Sequence, residues 1–348
     1  MASGGKESRD FMEEVVYANL GFPSKKLRVG PARGLDNGVV SLGNGNVMVT
    51  TIDPVSAIPR FGMKLSGWLS VHLIASDFTS SGVDPEFAIF SYNFPHAMNS
   101  REREEYIRAI GAECRKLGIA IAAGHTGTYP GGGYTVIGSG TMIGFAKEGS
   151  YLTPAMARAG DRILMTKHAA IEAAASLALS FPAYVERKIG PGVARRARSL
   201  INLCTTVDDA RTARRAGLGA EGVTSMHDAT EGGVLGALDE MAGASGKRFE
   251  VEAARIPVSR EAAAVCKAFG IDPLVTMGEG ALLITCNPRK VDDVTKKLKR
   301  SETEVTEIGV VKVGEGLKVM DGDRSRGFRS GQDTYWAAYE DAARQGFS

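Results

Sequence analysis

The chain has 348 residues, 43% hydrophobic and 24% charged, with a net charge of +2 and a pI near 8.3. That length accommodates two cores rather than one, and the balanced charge leaves no electrostatic footprint for a nucleic acid. No apolar stretch approaches the ~18 residues that span a bilayer, and the N-terminus is polar and glycine-rich rather than signal-like, so a cytoplasmic protein with no membrane partner is expected. Cys114, Cys204, Cys266 and Cys286 lie far apart without a C-x-x-C spacing, which indicates neither a zinc site nor a disulfide framework. The 43 glycines fall at turns and helix starts, where backbone can approach a ligand. Arg187, Lys188, Arg195, Arg196 and Arg198 read as a solvated helix face.

Residues 1–9 read as a flexible lead into a helix over about Asp10 to Asn19, which stops at Gly21 and Pro23. RGLDNGVVSLGNGNVMVTTID then reads as a hairpin, with Val39, Val40 and Leu42 on one strand, a turn over Gly43 to Asn46, and a β-branched second strand from Val47. Asp36 stands at its entrance. Asp53 ends the second strand, and Pro54 is expected to stop the ladder there. After a bridge with Pro59, Arg60 and Gly62, the residues Trp68, Val71, Ile74 and Ala75 recur at helical spacing, with Asp77 in the last turn and Gly82 as a stop. A carboxylate at a strand end and another at a helix end can hold a hard cation such as Mg²⁺, which takes oxygen ligands together with substrate phosphates. Each also has an ordinary role, since Asp before Pro is a common turn former and an Asp in a last helical turn is usually solvated.

EFAIFSYNF reads as a strand, and SREREEYIRAIGAECRKLG as a helix capped by Ser100, closed by Gly118, and buried through Tyr106, Ile107, Ile110, Cys114 and Leu117. IAIAAGHTG is expected to be a buried strand leading to a glycine-flanked His125, and YTVIGSGTMIGFA a further strand. These elements make an α+β domain over residues 1–148, followed by a boundary rich in Gly, Pro and polar residues. A second domain, 158–348, opens with the strand of DRILMTKH, ending at Thr166 and Lys167, and an alanine-rich helix. Helices are expected over about Tyr184 to Asn202 and Val207 to Ala216, then the strand of VTSMHDATEGG running into the helix VLGALDEMAGAS. The strand of FEVEAARIPV, a helix from Arg260 to Phe269, the strand GALLITC, a helix from Val291 to Arg300, a strand near VTEIGVVKV, a hairpin and a last helix over 332–345 complete the chain. GLGAEG, Gly217 to Gly222, matches G-x-G-x-x-G but follows a helix and precedes a strand, the reverse of the dinucleotide context. No glycine-rich run ends in Gly-Lys-Ser or Gly-Lys-Thr, so any ATP site uses another architecture than a P-loop.

GLDNGVV with VTTIDP, then ASDFTSSGVDPEF, AGHTGTYPGGGYTVIGSGTMIG and MHDATEGGVLGALDEMA resembles, in order and over nearly the whole chain, the superfamily of AIR synthase, thiamine-monophosphate kinase, selenophosphate synthetase and the hydrogenase maturation factor HypE. The N-terminal SGGK, the run MHDATEGGVLGAL beside the Asp-Pro-Thr-Arg-Gly-Gly-Leu pattern, and IPVSREAAAVCKAFGIDPLVTMGEGALLI bring it nearest to HypE-like proteins. The resemblance implies an N-terminal domain whose mixed sheet forms a β-barrel in a homodimer, an α/β C-terminal domain, and ATP with Mg²⁺ held in a cleft by acidic loops. On that reading Asp36, Asp53 and Asp77 bind magnesium and phosphate, Asp228 and Glu279 face the cleft, and Lys6 is a mobile lid residue near the phosphates. His227, with Asp228 and Glu279, meets the acceptor; Gly232 and Gly233 open a helix N-terminus suited to an anion.

Two departures stand out. Many members carry Gly-Asp-Thr where this chain has Gly124, His125 and Thr126, still expected near the nucleotide. A neutral imidazole suits Mg²⁺ poorly, so His125 is expected to hydrogen-bond a phosphate or a neighbouring carboxylate. HypE carries its substrate on a C-terminal cysteine, whereas no cysteine follows Cys286 here, so carboxamide-to-nitrile chemistry is not expected on this tail. Three functions compete: HypE-like phosphorylation or dehydration of a small or protein-borne amide, a small-molecule kinase like thiamine-monophosphate kinase, and a nucleotide-binding regulator without turnover. The kinase's Asp-x-Ser-Asp-Gly-Leu pattern appears here as Asp228, Ala229, Thr230, Glu231, Gly232 and Gly233, which disfavours that option.

Overall fold

The structure, a computed structural model, describes residues 5–347. Ser3 and Gly4 of the expected lead lie outside the described residues. Two compact units emerge: a smaller one, Lys25–Gly30 with Asp36–Tyr151, and a larger one that takes the chain up to Ser24, Pro31–Leu35 and everything from Leu152 on.

The expected first helix is irregular. Ser8 caps a single turn, α1 (Arg9–Phe11), which continues as a π-helical turn over Met12–Val16 and a 3₁₀ turn over Tyr17–Asn19. Its residues are exposed or half-buried, so no packed face enforces one regular helical repeat.

The smaller unit is a six-stranded sheet carrying two helices. Its strands are β1 (Leu27–Val29), β2 (Gly38–Gly43), β3 (Asn46–Ser56), β4 (Phe87–Phe94), β5 (Ala120–Thr128) and β6 (Val136–Lys147), in the order β1-β2-β3-β6-β4-β5. Only β4 and β5 pair in parallel, joined by a helical crossover as parallel strands require. Helix α2 (Met63–Thr79) and helix α3 (Ser100–Leu117) meet where Gly67 lets the backbones approach; a Cβ there would come within 2.8 Å of the Ala109 Cβ. Along β4, the side chains of Ala88, Phe90, Tyr92 and Phe94 are buried and those of Phe87, Ile89 and Asn93 are exposed, the period-2 pattern of a sheet covered on one face.

Several details differ from the sequence expectation. Pro54 does not end its strand: β3 runs on to Ser56, with Pro54 opposite Ser139. The cap of α3 is Asn99, not Ser100, because Asn99 and Glu102 satisfy each other's backbone N–H groups in a capping box. Ile107 is exposed rather than buried. Strand β5 is apolar yet exposed, since it is an edge of the sheet.

The larger unit is built on a seven-stranded sheet. In chain order it holds β7 (Arg162–Thr166), α4 (Ile171–Ser180), α5 (Pro182–Ile189), α6 (Pro191–Ser199), α7 (Val207–Ala213), β8 (Val223–Asp228), α8 (Gly233–Ser245), β9 (Arg248–Glu252) and α9 (Arg260–Phe269). It then adds β10 (Leu282–Cys286), α10 (Val291–Arg300), β11 (Val305–Lys312), β12 (Gly316–Asp321), β13 (Arg324–Phe328) and α11 (Thr334–Arg344). Gly190 and Pro191 split the expected long helix into α5 and α6. The strand order is β13-β12-β9-β11-β7-β10-β8, antiparallel except for β9 with β12, so this unit is α+β rather than the expected α/β.

Alternation along β7 explains the layering. Ile163 and Met165 join Val234, Leu235, Leu238 and Met241 of α8 on one face, while Leu164 joins Ala210, Ala213, Val294 and Leu298 of α7 and α10 on the other. A third cluster packs the helices around α4, with Tyr335 and Ala342 of α11 inside it. On α11 Trp336 and Tyr339 are half-buried and Ala343 is exposed. No helix among the described residues is long and apolar enough to cross a membrane.

Candidate functional site

In the smaller unit, the backbone segments that carry three of the acids singled out above are joined by side-chain hydrogen bonds. The Thr51 hydroxyl donates to the Asp36 carbonyl at 2.7 Å, two residues before Asp53. The buried Asn37 amide donates to the Asp77 carbonyl at 2.7 Å and to the Ser80 hydroxyl at 3.3 Å. The start of β2, the body of β3 and the end of α2 are thus tied together, and Asp36, Asp53 and Asp77 come with them. Asn37 and Thr51 went unrecognised from sequence, because a short polar residue beside a strand gives no sign of which backbone it will bond.

His125 is placed elsewhere. The register puts Asp53, Gly140, Phe90 and Gly124 in one cross-strand row, and three strand spacings separate Asp53 from Gly124 by about 14 Å. His125 and Thr126 follow on this exposed edge strand. The imidazole Nε2 pairs with the Tyr129 hydroxyl at 2.6 Å.

In the larger unit the chemistry gathers where β8 gives way to α8. Every residue of β8 is buried, and Asp228 ends it with zero exposure. Among the described residues, neither Asp228 carboxylate oxygen has a hydrogen-bond partner; the nearest cationic candidate is His227, with Nδ1 3.7 Å from Oδ1. His227 is itself fully buried, its Nε2 3.2 Å from the Glu240 carboxylate on α8. The loop bearing Glu279 is stitched to the same segment, by the Ala229 N–H on the Ala281 carbonyl at 2.9 Å and the Gly278 N–H on the Thr230 carbonyl at 3.2 Å. Lys167 steadies that loop from beneath, its ammonium donating to the Gly280 carbonyl at 2.8 Å and to Asp209.

The helix N-terminus after Glu231 differs from the anion cradle expected of it. Gly233 adopts φ +62°, and a Cβ there would lie 2.6 Å from the Thr276 carbonyl, so only glycine fits. The Gly232 N–H donates to Asp333 at 2.8 Å and the Gly233 N–H to the Thr230 carbonyl at 3.1 Å. Both donors are therefore engaged within the unit. Asp333 also accepts from the Tyr335 N–H at 2.8 Å and the Thr276 hydroxyl at 3.1 Å, and burial pushes its carboxyl above the ordinary range. Lys6 joins this neighbourhood: its N–H donates to Glu231 at 2.6 Å and its ammonium to the Thr230 hydroxyl at 3.1 Å. Of the residues anticipated in this half, His227 and Asp228 end β8, Gly232 and Gly233 open α8, Glu279 lies on the loop bonded to the segment between them, and Lys6 bonds Thr230 and Glu231 in that segment; Glu231, Asp333 and Trp336 were not foreseen. The N-cap position of Asp333 before α11 was the one readable signal.

The two folds and their acidic corners define an α+β protein of the AIR synthase type. The model of the AIR synthase related protein N-terminal domain matches residues 34–146 and that of the C-terminal domain residues 158–322. The chain belongs to the AIR synthase related protein family. Carbamoyl dehydratase HypE of Cupriavidus necator is 25% identical over 83% of this chain and 78% of its own. Thiamine-monophosphate kinase of Nitrosopumilus maritimus is 26% identical over 77% of this chain and 81% of its own. Among solved structures, hydrogenase maturation protein HypE in complex with ATP aligns with a TM-score of 0.68 at 19% identity, covering 95% of this chain and 97% of that one.

Proposed function

We propose that this chain is an ATP- and Mg²⁺-dependent enzyme that transfers the γ-phosphoryl group of ATP to an amide- or carbonyl-type acceptor, or dehydrates that acceptor through such a transfer. The observation that carries the reading is Asp228. A carboxylate with no exposure and no hydrogen-bond partner is costly to a folded protein unless a cation or a ligand's donor meets it. Hard oxygen donors of this kind suit Mg²⁺ and not a softer metal. The family relationship supports the same conclusion, since relatives include a carbamoyl dehydratase, a kinase and a HypE structure in complex with ATP.

In this reading Asp36, Asp53 and Asp77 hold the metal and the phosphates, with Gly124, His125 and Thr126 on the nucleotide side. Mg²⁺ would supply charge neutralisation for the oxygens of the transferring group. Lys6 adds a positive charge over the phosphates; Asp228 meets a cation or donor of the bound nucleotide and, with Glu279, faces the acceptor and takes its proton. His227, sealed against Glu240, acts by holding Asp228 in place rather than by meeting solvent. The acceptor is a small or protein-borne compound. The chain is further proposed to work as a homodimer whose sheets close into a barrel, which the exposed apolar side chains of Ile52, Phe87, Ile89 and Phe145 on one sheet face support.

Calorimetric titration of Mg²⁺ with a non-hydrolysable ATP analogue tests this reading. Asp53→Asn should weaken binding at least about tenfold, or about 1.4 kcal/mol, while Asp84→Asn, which lies in the turn before Pro85, should leave it within about twofold of wild type. Equal losses in the two variants would sink the assignment of the metal site.

A further inference from the structure

We propose that Glu231 is a latch that holds the N-terminal strap, and with it Lys6, against the loop that follows Asp228, and that the last helix of the chain sets the latch through Trp336. Its two oxygens are divided between chain segments far apart in sequence. One accepts the Lys6 N–H at 2.6 Å; the other accepts the Trp336 indole N–H at 3.2 Å. Gly5 is wedged between the two partners at φ +114°, where a Cβ would come within 2.8 Å of the Glu231 carboxylate and of the indole nitrogen. With the backbone so fixed, the Lys6 ammonium reaches the Thr230 hydroxyl at 3.1 Å, two residues beyond Asp228.

The residue type decides whether this can form. An arginine has five donors and no acceptor, so it would confront the Lys6 N–H and the indole N–H with donors of its own. A carboxylate accepts both and, being charged, strengthens each bond. A glutamine has one acceptor oxygen, so it can satisfy one of the two donors and must turn its amide against the other. Glu231 is therefore a positioning residue: it reaches the chemistry only through Lys6. Its importance to turnover rests on the role given to Lys6 above, whereas the latch itself does not.

Hydrogen exchange by mass spectrometry on the full chain, read at the N-terminal peptide ending at Phe11, tests the latch. Glu231→Gln and Gly5→Ala attack it from opposite sides, one removing an acceptor and the other expelling the strap. Both should speed exchange of that peptide roughly tenfold or more, the factor expected for losing one charged hydrogen bond. Trp336→Phe keeps the packing but removes the indole N–H, and should speed exchange of the same peptide about twofold or more. Unchanged exchange in both Glu231→Gln and Gly5→Ala overturns the latch. Unchanged exchange in Trp336→Phe alone overturns the coupling to the last helix. Titration of the ATP analogue on the same samples should show affinity weakened about fivefold in Glu231→Gln; faster exchange with unaltered affinity overturns its positioning of Lys6. If the wild type binds no nucleotide while exchange still responds, the latch stands and the ATP reading fails.

Discussion

Asp228→Asn should make the free protein more stable and the nucleotide complex less so. Both carboxylate oxygens are buried without hydrogen bonds among the described residues. Retaining such a charge incurs a desolvation penalty of several kcal/mol. The amide that replaces it is neutral, but its own donors go unmade, at about 1–3 kcal/mol. The difference leaves a net gain of about 1–2 kcal/mol, or about 2–8 °C in melting temperature for a unit of this size. Thermal unfolding should be followed first in chelator, then with Mg²⁺ and a non-hydrolysable ATP analogue. At a hundredfold excess over Kd the wild type should gain about 2.7 kcal/mol, and the variant less than about 1 kcal/mol. A variant that melts below wild type in chelator would refute the reasoning, because it would show that the carboxylate is already compensated inside the fold, with His227 the group at hand.

Two further outcomes follow from the fold. Light scattering in dilute solution should give about twice the 36.8 kDa chain mass, and Ile89→Asp, which places a charge in the middle of the exposed apolar sheet face, should return it to the chain mass; a monomeric wild type would remove the barrel. Deleting Gln345 to Ser348 should leave nucleotide binding nearly unchanged but lower stability slightly, since Phe347 stacks on Tyr184 at 3.9 Å between ring centroids, a pair worth about 0.5–1.5 kcal/mol; cutting before Tyr335 should destabilise the unit by about 1.5–3 kcal/mol for each buried aromatic side chain removed.

What could be read from the chain in advance depended on how local its cause was. The hairpin of β2 and β3, helix α2 with Asp77 in its last turn, and the run from β8 into α8 all followed from periodicity and turn chemistry within a dozen residues. Pro54 misled because a missing N–H matters only where a ladder needs it, and β3 continues through Pro54 to Ser56 against β6. Strand β5 misled because Ile121 and its alanines look like a core strand, and only the sheet order reveals an edge. The larger unit alternates helix and strand as a parallel sheet would, and its antiparallel pairing comes from strand order, which no local pattern encodes. The candidate acids could be assigned to element ends from residue type and turn chemistry. Their partners could not: Asn37 with Asp77, and Glu231 with both Lys6 and Trp336, join residues brought near each other only by the finished fold.

The two positions at which the chain departs from the resemblance are held in different ways. On the exposed edge strand, about 14 Å from Asp53, the His125 imidazole pairs with Tyr129. Beside the loop following Asp228, the Glu231 carboxylate takes two donors from distant segments, and the Lys6 ammonium reaches the Thr230 hydroxyl. The positive charge at Thr230 therefore comes from the N-terminal segment and not from the loop itself. Under the proposed function, affinity for phosphate oxygens there should fall when Glu231 loses its charge, because the bonds that hold the Lys6 backbone weaken.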